Sequence, residues 1–306
     1  MKKDLITLKD MTREEFAGVM DLAFKMKAGR KKYQKALSGK TLGLVFQKPS
    51  NRTRVSFAVG MMQLGGEAIY LGPDEIKLGK RESPKDVSAV LSRYLDGLVV
   101  RTFKHQDIVE MAKYARIPVI NGLSDSFHPC QALADIFTIY EHKGRKNVTI
   151  AYVGDGNNVL HSLIFAASQA GLPLRIATPG GYEPSGEVLR QARELAPEMS
   201  GELITLTNDA REAVSGADVI YTDVWTSMGQ EDESRKREEI FAPFRLDGAL
   251  AGHAKADCIF MHCLPAHRGH EITDDIIDSP RSVVYDQAEN RLHVQKAILY
   301  LYLKNR

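Results

Sequence analysis

The chain is organised around the stretch Phe46-Gln47-Lys48-Pro49-Ser50-Asn51-Arg52-Thr53-Arg54-Val55-Ser56-Phe57. The apolar run before it, at 41–46, predicts a buried strand, and the pattern over 57–64 predicts a helix. Ser50 is suited to cap that helix, so the N–H groups of the first turn would point into the gap after the strand. A threonine and two arginines on the same turn predict an anion site, with phosphate the simplest ligand. The alternative is an ordinary capped helix whose arginines are solvated.

The length, the net charge and the cysteine count limit the class of protein. A length of 306 residues predicts two domains of ordinary size. Acidic and basic residues nearly balance, with a net charge of +2, which argues against nucleic-acid binding and against a membrane-surface role. The three cysteines, Cys130, Cys258 and Cys263, are odd in number and follow no disulfide or zinc spacing. With no apolar run of membrane-spanning length and no recognisable targeting segment, we expect a cytoplasmic protein.

Strands and helices alternate along most of the chain after helices over 8–33. The apolar patterns predict strands near 41–46, 67–71, 97–100, 118–120, 148–153, 174–178, 202–206, 218–222, 258–262 and 282–284. They predict helices near 53–64, 84–94, 105–115, 130–141 and 159–170, and a closing helix at about 286–303. This βαβ rhythm predicts an α/β fold of two doubly wound parallel-sheet domains linked by two crossing helices. We expect one domain over 1–143, with the C-terminal helix at about 286–306, and the other over 147–285.

Polar clusters follow the predicted strands of the first domain, where doubly wound sheets bind their ligands. Arg101 ends one strand and is placed to reach the same anion as Arg52. Pro129 suits the first turn of a helix, which would present His128 and Gln131 to the ligand. A histidine in that position can polarise a carbonyl oxygen. The alternatives are a surface arginine and a histidine that caps its own helix.

Three further clusters follow strands of the second domain. The turn Gly154-Asp155-Gly156-Asn157-Asn158 is similar to the opening of a dinucleotide fingerprint but lacks its third glycine, so it is better interpreted as an amide-lined turn for a polar ligand. Asp223 can hold an ammonium group, and the following Ser227-Met228-Gly229 can close over it. His262-Cys263-Leu264-Pro265 places a thiol at a strand end, as a nucleophile or as a buried structural group.

In order along the chain, four motifs resemble those of the aspartate/ornithine carbamoyltransferase family: Ser50-x-Arg52-Thr53-Arg54, His128-Pro129-x-Gln131, Asp223-x-x-x-Ser227-Met228-Gly229 and His262-Cys263-Leu264-Pro265. The first two are shared across the family, and the last two resemble its ornithine branch. The resemblance covers essentially the whole chain. It implies a carbamoyl-phosphate domain, an amino-acid domain, and a homotrimer with active sites at subunit boundaries. It also implies carbamoyl transfer from carbamoyl phosphate to the δ-amine of L-ornithine, without metal or cofactor.

The resemblance also implies roles for individual residues. Those implied to bind carbamoyl phosphate are Ser50, Asn51, Arg52, Thr53, Lys77, Arg101, His128, Gln131, Cys263, Leu264 and Arg291. Of these, the implied catalytic residues are Arg101, His128, Cys263 and Arg291. Those implied to bind ornithine are Asn158, Asp223, Ser227 and Met228. Cys263 then becomes a polar thiol beside Asp223 and the incoming amine rather than a covalent nucleophile.

Three positions depart from the commonest family pattern. Asn51 stands where threonine is usual, and Gln47 stands where glutamate is frequent. Lys77 stands where a glutamine or histidine of the adjacent subunit usually meets the phosphate, and a lysine there is similar to the aspartate enzymes.

Other interpretations stay open on the sequence alone. Within the same chemistry, the acceptor could be putrescine or N-acetylornithine. Outside it, the Gly154 turn is compatible with a nucleotide-binding module, and Cys263 with a cysteine-nucleophile hydrolase.

Overall fold

The computed structural model describes residues 3–196, 203–226 and 231–304, with Arg30 and Glu231 described by their backbone alone. The strands of the described residues, β1 to β9, are Thr41–Phe46, Glu67–Leu71, Gly97–Arg101, Val119–Leu123, Ile150–Val153, Leu174–Ala177, Ile204–Thr207, Val219–Thr222 and Ile259–His262. The α-helices, α1 to α13, are Arg13–Ala28, Asn51–Gln63, Pro73–Ile76, Pro84–Leu91, His105–Tyr114, Pro129–Lys143, Asn158–Ala170, Gly186–Leu195, Ala210–Val214, Ser234–Phe241, Gly248–Ala251, Asp274–Ile277 and Val284–Leu303.

The chain divides into two compact units. Unit 1 comprises Met1–Ala134 and Glu289–Arg306, and unit 2 comprises Asp135–Ala288. Helices α6 and α13 therefore each contain residues of both units. The predicted domain boundaries place the transitions at the ends of these helices, near 143–147 and 286, and they stay a prediction.

Unit 1 is built on a parallel sheet with strand order β2-β1-β3-β4. Strands β1, β3 and β4 are almost wholly buried, because their near-continuous apolar sequences lie between two layers of helices. Leu5 covers the outer edge of β4, donating its N–H to Val119 and accepting from Asn121. Strand β2 forms the other edge and has no fully buried residue, with Ile69 49% accessible. At the carboxyl ends of β1 and β3, Phe46 and Arg101 are register partners on neighbouring strands.

Unit 2 is built on a second parallel sheet with strand order β7-β6-β5-β8-β9. Strands β5, β8 and β9 are fully buried. Because these three strands are adjacent and parallel, their carboxyl ends lie at one edge of the sheet. The residues that follow them are the Gly154 turn, Asp223 and Cys263. The prediction of two parallel-sheet α/β domains is confirmed.

Local capping signals in the sequence place several helix starts correctly. Thr12 accepts from the Glu15 N–H while Glu15 accepts from the Thr12 N–H, which is a complete capping box for α1. Ser50 caps α2, and Pro129 is the first residue of α6. These positions need only short-range geometry, so they can be read from the chain directly.

One predicted strand is wrong. Ser282 forms a single bridge with Phe260, and helix α13 begins at Val284. The flanking hydrogen bonds run from the Phe260 N–H to the Arg281 carbonyl and from the Val283 N–H to the Phe260 carbonyl. The segment therefore touches the edge of β9 for one residue and then turns into the helix, although its β-branched valines favour a strand.

No helix of the described residues has the length and apolar character that crossing a bilayer would require. The three cysteines lie within the described residues, and none of them forms a disulfide.

Candidate active site

The first turn of α2 is arranged as the sequence predicts. Ser50 Oγ accepts a hydrogen bond of 3.3 Å from the Thr53 N–H, so the helix begins at the end of a buried strand and its first amides point away from the helix body. Arg52 is half-buried and Asn51 is exposed on this turn. The N-terminus of α2 therefore offers N–H groups, a positive dipole end and a guanidinium together.

Arg52, Arg101, His128 and Arg291 form what we call the basic cluster of unit 1. Arg101 ends the central strand β3 and is only 6% exposed, while His128 immediately precedes α6 and is 4% exposed. Arg291, on α13, donates from Nη2 to Thr53 Oγ1 at 2.8 Å, which connects it to the first turn of α2. Sequence motifs separated by more than 200 positions are thus brought together within one unit.

The charges of the basic cluster affect the pKa of His128. Its burial lowers its pKa well below the ordinary 6.5, and the charges of Arg291, Arg101 and Arg52 lower the pKa further. His128 is therefore a neutral imidazole at physiological pH. The cluster consequently carries three positive charges around a neutral ring, which suits an anion that has a polar, uncharged carbonyl attached.

The remaining residues predicted for this half lie in two places. Gln131 is 1% exposed on the first turn of α6, where its N–H donates to the His128 carbonyl. Lys77 is exposed at the end of the short helix α3, with a left-handed φ of 42°. The structure thus places Gln131 beside His128 and places Lys77 on a separate surface turn of unit 1.

Asp223 is the centre of the corresponding arrangement in unit 2. Its carboxylate is 4% exposed, accepting from Cys263 Sγ at 3.0 Å through one oxygen and from Asn157 Nδ2 at 2.9 Å through the other. Asn157 also caps α7, because its Oδ1 accepts from the Val159 and Leu160 N–H groups. Both donors to the carboxylate are neutral, so they orient it while leaving its negative charge in place.

The His262–Pro265 segment is fixed by a buried histidine. His262 Nδ1 accepts from the Leu264 N–H at 2.9 Å, and Nε2 lies 3.0 Å from Glu271 Oε1, with both side chains fully buried. Because Nδ1 accepts, the ring proton is assigned to Nε2, which donates to Glu271. Leu264 adopts a φ of 57°, a strained conformation for a leucine, and its hydrogen bond to His262 helps to hold it there.

Asp223, His262 and Cys263 bring a carboxylate, an imidazole and a thiol within 4.8 Å of one another. The three nevertheless fit a hydrogen-bonded site better than a metal site. Both His262 ring nitrogens are engaged, with Leu264 and Glu271, so neither offers a lone pair to a metal.

Arg237 is a buried support of unit 2 that the sequence analysis missed. It is 3% exposed, its Nη2 lies 2.7 Å from Asp155 Oδ1, and its Nε donates to the Trp225 carbonyl. Burial raises the pKa of Asp155 to about 6, an effect that the charge of Arg237 partly opposes. Arg237 therefore joins the Gly154 turn to the segment that follows Asp223.

Two family models together match nearly the whole chain. The family model for the carbamoyl-P binding domain of aspartate/ornithine carbamoyltransferase matches residues 3–141, and that for the Asp/Orn binding domain matches residues 146–302. The chain belongs to the aspartate/ornithine carbamoyltransferase family. An ornithine carbamoyltransferase of Thermococcus kodakarensis is 54% identical over 304 residues, which is 98% of this chain and 96% of that protein.

Solved structures in the carbamoyltransferase family extend the likeness to three dimensions. The ornithine carbamoyltransferase from Pyrococcus furiosus is 53% identical with a TM-score of 0.95, over 98% of this chain and 97% of that one. The anabolic ornithine carbamoyltransferase from Campylobacter jejuni is 37% identical with a TM-score of 0.94, over 100% of both chains.

Within this carbamoyltransferase chain, the predicted ornithine residues divide into two groups. Asp223 lies at the centre of its half-site, and Asn158 begins α7 directly after Asn157. Ser227 and Met228 lie outside the described residues. The residues predicted from the sequence include Asn158 and not Asn157, although an asparagine before an apolar helix is itself a capping signal.

The state of His128 gives a testable prediction. We expect histidine NMR to show a neutral His128 ring as the pH falls through 6.5, and phosphate to raise the pKa of the ring because the anion offsets the arginine charges. The lowered pKa means that the unfolded chain takes up this proton first, so His128 reduces the stability of the fold as the pH falls below 6.5.

The control is His128→Gln, which keeps a donor but has no such proton to gain. Its urea midpoint should fall less between about pH 7 and about pH 5 than that of the unaltered protein. A His128 resonance that titrates at the ordinary value would contradict the analysis.

Proposed function

We propose that this protein transfers the carbamoyl group of carbamoyl phosphate to the δ-amine of L-ornithine, giving L-citrulline and phosphate in arginine biosynthesis. The observation that carries the choice of acceptor is Asp223 held by neutral donors, because an acidic group suits the ammonium of ornithine and repels the carboxylates of aspartate. The relatives of about 54% identity that bear the name ornithine carbamoyltransferase support the same choice.

Carbamoyl phosphate is bound by unit 1 in this proposal. Ser50, Asn51, Arg52 and Thr53 offer amides, hydroxyls and one guanidinium to the phosphate at the start of α2. Arg101, at the end of the adjacent strand, is placed to contact both the phosphate and the carbonyl oxygen. Lys77 supplies a further positive charge for the phosphate.

The reacting carbonyl gains negative charge as the amine attacks. Arg101, His128, Gln131 and Arg291 are the donors we assign to the carbamoyl group, and a neutral His128 can donate one hydrogen bond without requiring protonation. One well-placed donor of this kind lowers a barrier by about 3 kcal/mol. A C–N bond forms, the C–O bond to phosphate breaks, and the amine proton leaves with the phosphate or to solvent.

The acceptor is bound by unit 2. Asn158, Asp223, Ser227 and Met228 hold the amino-acid part of ornithine, while Cys263 and Leu264 lie beside the δ-amine and the carbamoyl group. The thiol donates to Asp223 at 3.0 Å, so an incoming amine meets an oriented polar pair rather than a covalent nucleophile. Orientation and exclusion of water are expected to supply much of the rate enhancement.

The charge of Arg52 can be tested against a neighbouring arginine. We expect Arg52→Ala to lower kcat/KM for carbamoyl phosphate by about 10²- to 10³-fold, because the leaving phosphate loses the positive charge that stabilises it. The matched control is Arg54→Ala on the same helix as Arg52, since the Arg54 guanidinium lies 3.8 Å from the ring centroid of Tyr70 on β2. A phosphate-release assay that shows near-normal turnover for Arg52→Ala would contradict the proposal.

The thiol and the acceptor can be tested together. Cys263→Ser should keep measurable citrulline formation, with KM for ornithine raised by about tenfold, because a hydroxyl still donates to Asp223 but with altered length and acidity. No acyl-enzyme should be trapped by mass spectrometry. A panel of ornithine, putrescine and N-acetylornithine gives the control, and a strong preference for putrescine would remove the role given to Asp223.

We further propose a cytoplasmic homotrimer with shared active sites. Val55 and Met62, one heptad apart on α2, are 54% and 67% exposed, and Ile69 is exposed on the neighbouring edge strand β2. An apolar surface of this kind supports contact with a second copy of the chain. In the cytoplasm the three cysteines would remain reduced.

Light scattering during size-exclusion chromatography tests the assembly. Met62→Glu should shift the mass from about three subunits toward one, because a carboxylate would be buried in the contact. Val109→Glu, at another partly exposed apolar position in unit 1, is the matched control and should leave the mass unchanged. Equal masses for Met62→Glu and the unaltered protein would exclude this surface.

A further inference from the structure

We propose that Gln47 is the positioning residue of the carbamoyl-phosphate half-site, holding the segments of Arg101 and Lys77 in place relative to the start of α2. The inference rests on the proposed function and adds a residue that contacts neither substrate. It follows from the hydrogen bonds of a single half-buried side chain.

Gln47 is the first residue after β1, and both its backbone and its amide are engaged. Its N–H donates to the Arg101 carbonyl at 2.8 Å, and its Oε1 accepts from the Phe103 N–H at 2.9 Å. Its Nε2 donates to the Leu78 carbonyl at 3.0 Å and to Asp107 Oδ2 at 3.3 Å. One glutamine thus connects the ends of two strands, the start of α5 and the turn after α3.

Each connected segment carries a residue assigned to carbamoyl phosphate. Ser50 to Thr53 follow Gln47 within six positions, Arg101 lies at the bonded strand end, and Lys77 directly precedes Leu78. Movement of the Arg101 segment relative to the start of α2 would therefore separate phosphate ligands, and movement of the Lys77 turn would displace the lysine from the phosphate that it meets, in the family pattern, across a subunit boundary. Displaced ligands of this kind weaken the binding of carbamoyl phosphate and of inorganic phosphate.

The Lys77 turn is bonded to Gln47 through the Leu78 carbonyl. Lys77 has a left-handed φ of 42°, a conformation that a lysine adopts only where its surroundings impose it. Leu78 supplies two restraints, since its side chain is buried in the core with Val45 and Val100 while its carbonyl accepts from Gln47. Removing the amide leaves the turn with its buried apolar side chain and its local backbone hydrogen bonds, such as those from the Lys80 and Arg81 N–H groups to the Lys77 carbonyl, but with no bond to the end of β1.

The test compares two substitutions at one position. Gln47→Met is nearly isosteric and removes every side-chain hydrogen bond. Gln47→Glu keeps an oxygen for the Phe103 N–H, but it loses the donor to Leu78 and places a second carboxylate against Asp107. We expect Gln47→Met to raise KM for carbamoyl phosphate, and the inhibition constant of inorganic phosphate, by about tenfold. Gln47→Glu should raise both by at least as much. The kcat and the KM for ornithine should change by less than about threefold in either variant.

The matched control is Gln106→Met, the same substitution at an exposed glutamine of α5, which should behave like the unaltered protein. The inference is overturned if Gln47→Met leaves both constants for the phosphate ligands unchanged, or if Gln47→Glu behaves like the unaltered protein. It is also overturned if KM for ornithine rises by the same factor, since that indicates general damage.

Two safeguards keep the outcome interpretable. If Gln47→Met does not fold, as judged by near-ultraviolet circular dichroism, Gln47→Glu alone is measured and must raise both constants by at least about tenfold. If the unaltered protein forms no citrulline, the proposed function has failed, and phosphate binding measured by calorimetry for the same variants still tests the role of Gln47.

Discussion

Unit 1 depends on holding like charges together around a buried ring. Arg52, Arg101 and Arg291 all act on His128, and the ring responds by remaining neutral. Charges gathered in a poorly hydrated place repel one another, so packing and hydrogen bonds elsewhere must fix them. A central strand fixes Arg101, and Thr53 fixes Arg291. In the proposed function, an entering phosphate would relieve this repulsion, and the relief would contribute to its binding free energy.

Unit 2 instead orients a single carboxylate, that of Asp223, through hydrogen bonds from neutral donors. Asp155 lies in the same region but is paired with the buried Arg237, so its charge is largely compensated. Asp223 instead receives an amide and a thiol, which are neutral. The two acids therefore have different partners: Asp155 secures the turn, whereas Asp223 is the carboxylate that the proposed function assigns to an ammonium group.

The sequence predicts those parts of the fold and site that depend on local rules. Parallel strands end at one edge, so residues after β1, β3, β5, β8 and β9 could be expected near ligands from order alone. Ser50 and Pro129 were recognisable because capping is a short-range property. Gln47 and Arg237 could not be recognised in this way, because their side chains bind carbonyl groups that are distant in the sequence. The sequence does not indicate which carbonyl group a polar side chain will contact. The wrong strand at 282–284 has the same origin, since tertiary contact overrode β-propensity.

The geometry around Cys263 also decides between two chemistries that the sequence left open. A cysteine nucleophile needs a thiolate and a base to take its proton. The neighbouring His262 cannot be that base, because Nδ1 accepts from Leu264 and Nε2 donates to the buried Glu271. A thiolate would also lie about 3 Å from the Asp223 carboxylate, where two negative charges repel. The thiol is therefore a hydrogen-bond donor that aims a carboxylate, and a serine hydroxyl could in part replace it, which no covalent mechanism through sulfur would predict.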